Sequence, residues 1–220
     1  MRIVSVNVGR PRLALWNGRT VSTGIYKTPV EGRVMLRTLN LDGDRQADLN
    51  VHGGIRKAAY AYPAEHYDYW RGELPGAELP WGAFGENFTV EGLDESCVNI
   101  GDRFRIGHAE VTVTVPRMPC YKLGIRFGRA DIVERFIASG RSGFYFSVRS
   151  EGEVGAGDEV EPVGRVEDGV TVADVFRLYA RGEGDVETLR RAAAAEELPE
   201  SWRERFERHL AGAATDRTRT

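Results

Sequence analysis

From residue 2 to residue 163 the chain is a succession of short apolar runs, each stopped by glycine, proline or an Asn-Gly pair. That punctuation confines the region to short strands joined by tight turns. Residues 2–8 alternate as a strand. Asn17-Gly18 then separates Leu13-Ala14-Leu15-Trp16 from Thr20-Val21, and the pair favours a type I′ hairpin because both central residues need positive φ. Residues 21–27 read as the returning strand and 34–41 as the next. Residues 57–62 form a strand stopped by Pro63, which also opens a short helix over 64–70. Residues 98–106 and 110–115 flank Gly107-His108 as a second hairpin. A helix over 131–139 ends at Gly140, and strands over 143–149 and 159–163 complete the series. The predicted fold is mainly β: a closed or nearly closed β-barrel carrying a few short helices, over residues 1–164.

The pattern changes at Gly164. Thr171-Val172-Ala173-Asp174 resembles a capping box with Asp in place of Glu. Val172, Val175, Phe176 and Tyr179 follow at helical spacing, and Gly182 ends that segment. Asp185 can cap a second helix with Val186 and Leu189, and Pro199 opens a third with Trp202, Phe206 and Leu210. Each is short enough to be marginal alone. Together they predict a three-helix appendage over 165–212, followed by a disordered tail over 213–220.

Charge excludes some partners. The chain carries 30 basic and 33 acidic residues, net −3, and residues 165–220 hold 10 arginines against 12 acids. A nucleic-acid polymer is therefore not an expected partner of the helical segment, despite its helix–turn–helix spacing. No stretch is long and apolar enough to span a bilayer, and residues 1–8 lack a signal core, so a cytoplasmic, membrane-free protein is expected. Both cysteines, Cys97 and Cys120, are then expected as free thiols.

Three runs carry candidate chemistry. The first is Pro116-Arg117-Met118-Pro119-Cys120-Tyr121-Lys122-Leu123, which follows the β-branched strand Val111-Thr112-Val113-Thr114-Val115. Pro119 restricts the backbone beside Cys120, placing the thiol on a loop at a strand end. Arg117 and Lys122 favour a thiolate, which is a nucleophile or a soft metal ligand; a structural cysteine is the alternative. The second run is His52-Gly53-Gly54 followed by Lys57, where glycines admit close backbone approach and leave N–H groups for an anion. A tight turn with a solvated histidine is its other reading. The third is Glu86-Asn87-Phe88-Thr89, which offers an anion, an amide and a hydroxyl to a polar ligand, or simply leads a polar loop into a strand.

Taken together these runs resemble the MOSC family, the molybdenum-cofactor sulfurase C-terminal domain, and within it the YiiM-like branch. The resemblance rests on His52-Gly53-Gly54 with Lys57 and Tyr60-Ala61-Tyr62-Pro63, on Gly85-Glu86-Asn87, and on residues 117–123. Gly43-Asp44, Gln46-Ala47-Asp48 and Gly140-Arg141-Ser142-Gly143-Phe144-Tyr145 add to it. Two positions depart from the family pattern. Arg56 stands where many relatives carry an acid, adding positive charge beside the expected cofactor loop, and Tyr121 stands where tryptophan is frequent.

The resemblance implies a β-barrel that binds the molybdenum cofactor (molybdopterin), with Cys120 as the metal ligand. It implies an oxidoreductase that reduces N-hydroxylated compounds such as hydroxylamino-purine base analogues, a detoxifying reaction; no pyridoxal phosphate site is expected. Lys57, Arg117 and Lys122 would supply positive charge, with Lys27 joining them. His52 would line the site or donate a proton. Asn87 and Thr89 would bond the pterin, Glu86 would contact it or orient a basic neighbour, and Gly53 and Gly54 would give backbone access. A separate flavoprotein would supply electrons, because no nucleotide-binding glycine fingerprint is present. Two other functions compete: a sulfur carrier holding a persulfide on Cys120, and a metal-free Cys120–His52 hydrolase. The appended helices could pack across a two-fold axis into a homodimer. Cys97, without cationic neighbours, reads as a small buried hydrophobe.

Overall fold

The computed structural model describes residues 1–47 and 53–217, with side chains described through residue 212. Eight strands form one sheet. Their order is β12 (Val160–Gly164), β8 (Arg103–Ile106), β9 (Ala109–Pro116), β10 (Phe144–Ser150), β6 (Ala59–Pro63), β7 (Phe88–Glu91), β1 (Arg2–Val8) and β4 (Thr28–Pro29). All neighbours are antiparallel except β6 and β7, which run parallel. Two ribbons stand beside it: β2 (Arg12–Trp16) with β3 (Arg19–Thr23), and β5 (Arg33–Leu36) with β11 (Gly152–Gly155).

Of the closed or nearly closed barrel expected, the closed form is not found among the described residues. The sheet curls until its margins meet only at one isolated bridge, Arg2 with Glu159. Backbone bonds from Ile3 N–H to Asp158 O (2.9 Å) and Val160 N–H to Met1 O (3.0 Å) support that contact. A glycine turn at 155–157 and the short β4 leave too little extended chain there for a full ladder.

Six α-helices accompany the sheet among the described residues: α1 (His66–Glu73), α2 (Tyr121–Phe127), α3 (Ile132–Ser139), α4 (Val172–Arg181), α5 (Val186–Ala194) and α6 (Glu200–Arg217). The capping chemistry of the last group works as the sequence analysis expects. Thr171 Oγ1 accepts from Asp174 N–H at 3.0 Å, Asp185 accepts from Thr188 N–H at 2.7 Å, and Gly182 closes α4 with φ 70°. Helix α6 continues to Arg217, into the segment expected as a tail.

Two apolar clusters hold these elements. The larger joins the inner sheet face (Phe88, Val111, Phe144, Phe146) to Val172, Val175, Leu189 and Phe206 of the C-terminal helices, so sheet and appendage share one core. The smaller is aromatic: Tyr60, Tyr62, Tyr67, Trp70, Phe84 and Phe136, with Leu123 of α2. Trp70 Nε1–H donates to Tyr62 Oη at 2.6 Å, so the cluster buries its polar handles as pairs.

Gly143 links the clusters to the loop behind β9. Its N–H donates to buried Glu95 at 2.5 Å, its carbonyl accepts from Arg117 N–H at 3.2 Å, and Glu95 also contacts His66 Nε2 at 2.8 Å. With φ +62° and a Cβ that would lie 2.4 Å from the Ala61 carbonyl oxygen, only glycine fits there. Replacing Gly143 with alanine is expected to cost at least about 2 kcal/mol in denaturant unfolding. A loss below about 0.5 kcal/mol, the range of an ordinary surface change, would contradict this packing.

Candidate active site

Strand β9 ends at Pro116, and the Arg117–Gly143 backbone bond turns the chain towards α2. Cys120 sits half-buried in extended conformation on the loop behind β9, as expected, and an unexpected helix begins at Tyr121. Seven helical residues follow because Leu123 buries in the aromatic cluster and Ile125 is buried as well, while Gly128, at φ 66°, stops the helix.

Cys120 opens into a cleft of about 660 Å³, its mouth included. The walls are Arg117, Met118 and Lys122 beside the thiol, Lys57, Tyr60 and Tyr145 from the sheet side, Phe84, Gly85 and Asn87 opposite, and residues 23–27 and 45–47 at the rim. Tyr60 and Tyr145 stand directly opposed in the β6–β10 register, their rings 5.2 Å apart.

The cleft concentrates positive charge. Arg117 is buried, its guanidinium over the rings of Tyr60 (5.3 Å) and Phe136 (5.0 Å). Its Nη1 is nevertheless fully buried with no hydrogen-bond partner among the described residues. Arg126 and Arg203 each leave a buried Nε in the same state, so the Arg117 donor is one that water or a ligand in the cleft can satisfy. Lys122 is also buried and makes no ion pair among the described residues. The Lys57 ammonium lies 6.0 Å over Tyr145, and burial lowers its pKa below that of an ordinary lysine. Burial also raises the Tyr145 hydroxyl above its usual range, against the pull of Arg117.

Other expected site residues have structural duties. Lys27 reaches the cleft wall, but its ammonium is held by both oxygens of buried Asp44 at 2.5 Å, so its charge is already compensated. Burial pushes its pKa down and Asp44 opposes that shift. Asn87 lines the cleft while its polar atoms serve the fold: Oδ1 accepts from Tyr60 N–H at 3.1 Å, and Nδ2 donates to the Asn7 carbonyl at 3.2 Å and to Asp44 at 2.9 Å. Thr89 is buried outside the cleft, donating to Glu86 at 3.0 Å and accepting from Asn7 Nδ2 at 3.2 Å.

Glu86 does not face the cleft either. It accepts from Gly82 N–H (2.8 Å), Phe84 N–H (3.1 Å), Thr89 Oγ1 and the Tyr67 hydroxyl, and so shapes the loop that presents Phe84 and Gly85. Burial raises its pKa against those donors. Gly53 and Gly54 are not among the cleft-lining residues; Gly54 starts a 3₁₀ turn over Ile55–Lys57. His52 lies outside the described residues. Arg56 turns away from the expected cofactor loop and donates through Nε to the Glu197 carbonyl at 2.9 Å, tying the turn to the C-terminal helices. Cys97, expected buried, is exposed, because Asp94 accepts from the Ser96 amide and hydroxyl and holds residues 94–97 as a surface turn.

Asp44, Tyr60 and Tyr145, which carry part of the family resemblance but no expected site role, are organising residues of the cleft. The alternation of Phe144 and Phe146 implied that Tyr145 faces the opposite side. Its pairing with Tyr60 required the strand register.

A fold with a curled mixed sheet, a cysteine at the β9–α2 turn and an arginine-lined cleft defines the class. The MOSC domain model matches residues 48–161, and the YiiM-like 3-alpha helix domain model matches residues 170–213. The chain belongs to the MOSC domain family, in its YiiM-like branch. It is 42% identical to protein YiiM of Escherichia coli (strain K12) over 202 residues, 90% of this chain and 89% of that one. A Gibberella moniliformis protein named "Reductase" is 31% identical over 179 residues, 80% of this chain and 32% of that protein. The crystal structure of YiiM from Geobacillus stearothermophilus superposes with TM-score 0.77 at 34% identity, covering 95% of this chain and 98% of that one. MOSC domains are associated with molybdenum-cofactor binding or sulfurase chemistry. No helix among the described residues is long and apolar enough to cross a membrane.

The Lys27–Asp44 pair yields a test of structural against ligand-binding duty. Asp44→Ala leaves a buried ammonium and is expected to cost about 3–5 kcal/mol. Adding Lys27→Met removes that charge and should recover much of the loss in a chemical-denaturation double-mutant cycle. A near-neutral Asp44→Ala would show that Lys27 is compensated elsewhere.

Proposed function

We propose that this protein is a molybdenum-cofactor-dependent reductase of N-hydroxylated compounds, with Cys120 as the protein's metal ligand. The observation that carries the reading is the buried, unsatisfied Nη1 of Arg117 in the same cleft as the Cys120 thiol. The donor set fits the group: one soft sulfur for the metal, with Arg117, Lys122 and Lys57 as cations for an anionic, phosphate-bearing ligand. When bound, the cofactor supplies two-electron redox chemistry. The relative named "Reductase" supports the reaction class.

The chain's own residues bind, orient and shield. Arg117 is held rigidly between Tyr60 and Phe136 and offers a fixed donor. Tyr60, Phe84, Tyr145 and Met118 give the cleft flat apolar walls suited to a planar substrate and partly exclude water. In the net reaction an N–OH compound takes two electrons and two protons, the N–O bond breaks, and an amine and water leave. Lys57, with its lowered pKa, and the Tyr145 hydroxyl are the described groups that can hold a proton at the cleft. His52 remains a further proton-donor candidate from the sequence. A separate flavoprotein is the proposed electron source.

Protein made in a cofactor-competent host should contain molybdenum near stoichiometric with the chain and reduce hydroxylamino-purines with reduced benzyl viologen. Cys120→Ala should lose both the metal, by elemental analysis, and at least about 100-fold in rate. Full retention of both would remove Cys120 from the mechanism. A persistent single-sulfur adduct on Cys120 by mass spectrometry, without molybdenum, would favour the sulfur-carrier function instead.

A further inference from the structure

We propose that the face formed by the β2–β3 hairpin, Tyr26 and α2 docks the carboxylate-rich surface of an electron-donor flavoprotein. The proposal rests on the reductase reading and assigns the site of its missing reductant.

Charge singles out this face. The chain is net −3, yet residues 1–30 contain no Asp or Glu, and neither do residues 111–130. The fold packs these two acid-free segments together. The Trp16 ring lies against Gly124 of α2, 3.1 Å from where a Cβ would stand, and the Tyr26 hydroxyl donates to the Ile125 carbonyl at 3.3 Å. Arg12 stacks on the Tyr26 ring at 3.3 Å, and Arg126 approaches the same ring at 5.5 Å with its buried Nε lacking a partner among the described residues. Arg45 stands at the cleft rim, and its N–H bonds the Gly9 carbonyl at 3.0 Å, which brings Arg10 alongside. None of these four arginines forms an ion pair among the described residues. Arg129, at the end of the second acid-free segment, pairs with Asp131 beyond it, as Arg33 and Arg37 pair with acids elsewhere. Arg141, Arg149 and Arg205 are without an ion pair among the described residues too, so the absence of acids from the two packed segments is what distinguishes this face. Clustered cations without internal acids are an electrostatic guide for an acidic partner.

The outer side of the hairpin, opposite Arg12 and Trp16, is apolar. Leu13 and Leu15 are 73% and 74% exposed, the most exposed large hydrophobic side chains described. Their register partners are Ser22 and Thr20, so both leucines project from the outer side of the ribbon while Trp16 is half-buried against α2. A small exposed apolar surface on the ribbon that covers the arginine cluster suits a transient protein contact. A bilayer is the poorer fit, because the hairpin tip is Asn17-Gly18 and the aromatic residue points inward. The hairpin continues directly into residues 23–27 of the cleft rim, and α2 begins beside Cys120, so a partner docked here sits next to the site. In turnover the partner's reduced flavin is oxidised to the quinone and releases two electrons, which the N–OH substrate consumes with two protons to form amine and water.

The test uses the full chain, loaded with cofactor, and flavodoxin, a small acidic flavoprotein, as the probe. Calorimetry should detect binding at about 20 mM NaCl and at least about tenfold weaker binding at about 300 mM. The exposed triple variant Arg10→Glu, Leu13→Ser, Leu15→Ser should bind at least about tenfold more weakly at low salt. Its thermal melt and viologen-driven activity should match the parent. Absence of binding by the parent at low salt, or equal binding by the variant, overturns the proposal. So does a concentration-dependent dimer that only the parent forms in sedimentation, which assigns the face to self-association. Selective pelleting of the parent with phosphatidylglycerol vesicles assigns it to lipid and overturns the proposal equally. Lack of viologen-driven activity in the parent defeats the reductase reading, while the binding result still decides whether the face recognises an acidic protein.

Discussion

The cleft is organised around one buried carboxylate. Asp44 accepts from Gly9 N–H, from Lys27 and from Asn87, and so joins the end of the first strand, the rim segment and the 84–87 loop. A charge this deep survives only when nearly every lone pair is used. That requirement fixes the relative positions of three chain segments far apart in sequence. Asn87 passes the constraint on through Tyr60 N–H to the sheet, and Glu86 beside it holds the same loop from behind. The cleft wall is therefore rigid before any ligand arrives, and preorganisation of this kind is what a binding site needs.

On that rigid wall the charges divide into two classes. Lys27 is compensated internally and belongs to the scaffold. Arg117 is packed by aromatic rings with a donor left over, and Lys122 is buried without an ion pair among the described residues. The fold bears the desolvation of Arg117 without recovering its full hydrogen bonding, and a functional site is where such a deficit persists. The same sorting separates the surface arginines that close ion pairs from those around Tyr26 that do not.

Local chemistry was readable where one segment sufficed. The caps at Thr171 and Asp185, the Asn17-Gly18 turn and the β-branched run before Pro116 depend on neighbours within a few residues, and each forms as expected. Barrel closure was not readable, because it depends on whether the two sheet margins have enough paired length. Helix α2 was missed because its seven residues are stabilised by burial of Leu123 and Ile125 rather than by propensity. Cys97 was misjudged because burial was inferred from its chemistry, while the Asp94 turn places it outside.

By itself the sequence determined the strand-rich region, the three C-terminal helices, two of them with side-chain caps, and the Arg117–Cys120–Lys122 cluster, since periodicity, capping and short-range spacing are encoded within a few residues. Tertiary structure alone decided which polar groups face the cleft. Glu86, Asn87 and Thr89 look like ligand contacts in a line of text, yet their atoms are consumed by Asn7, Asp44, Tyr60 and Tyr67. Hydrogen-bond partners distant along the chain settle whether a buried donor is spent or available, and only folding brings those partners together.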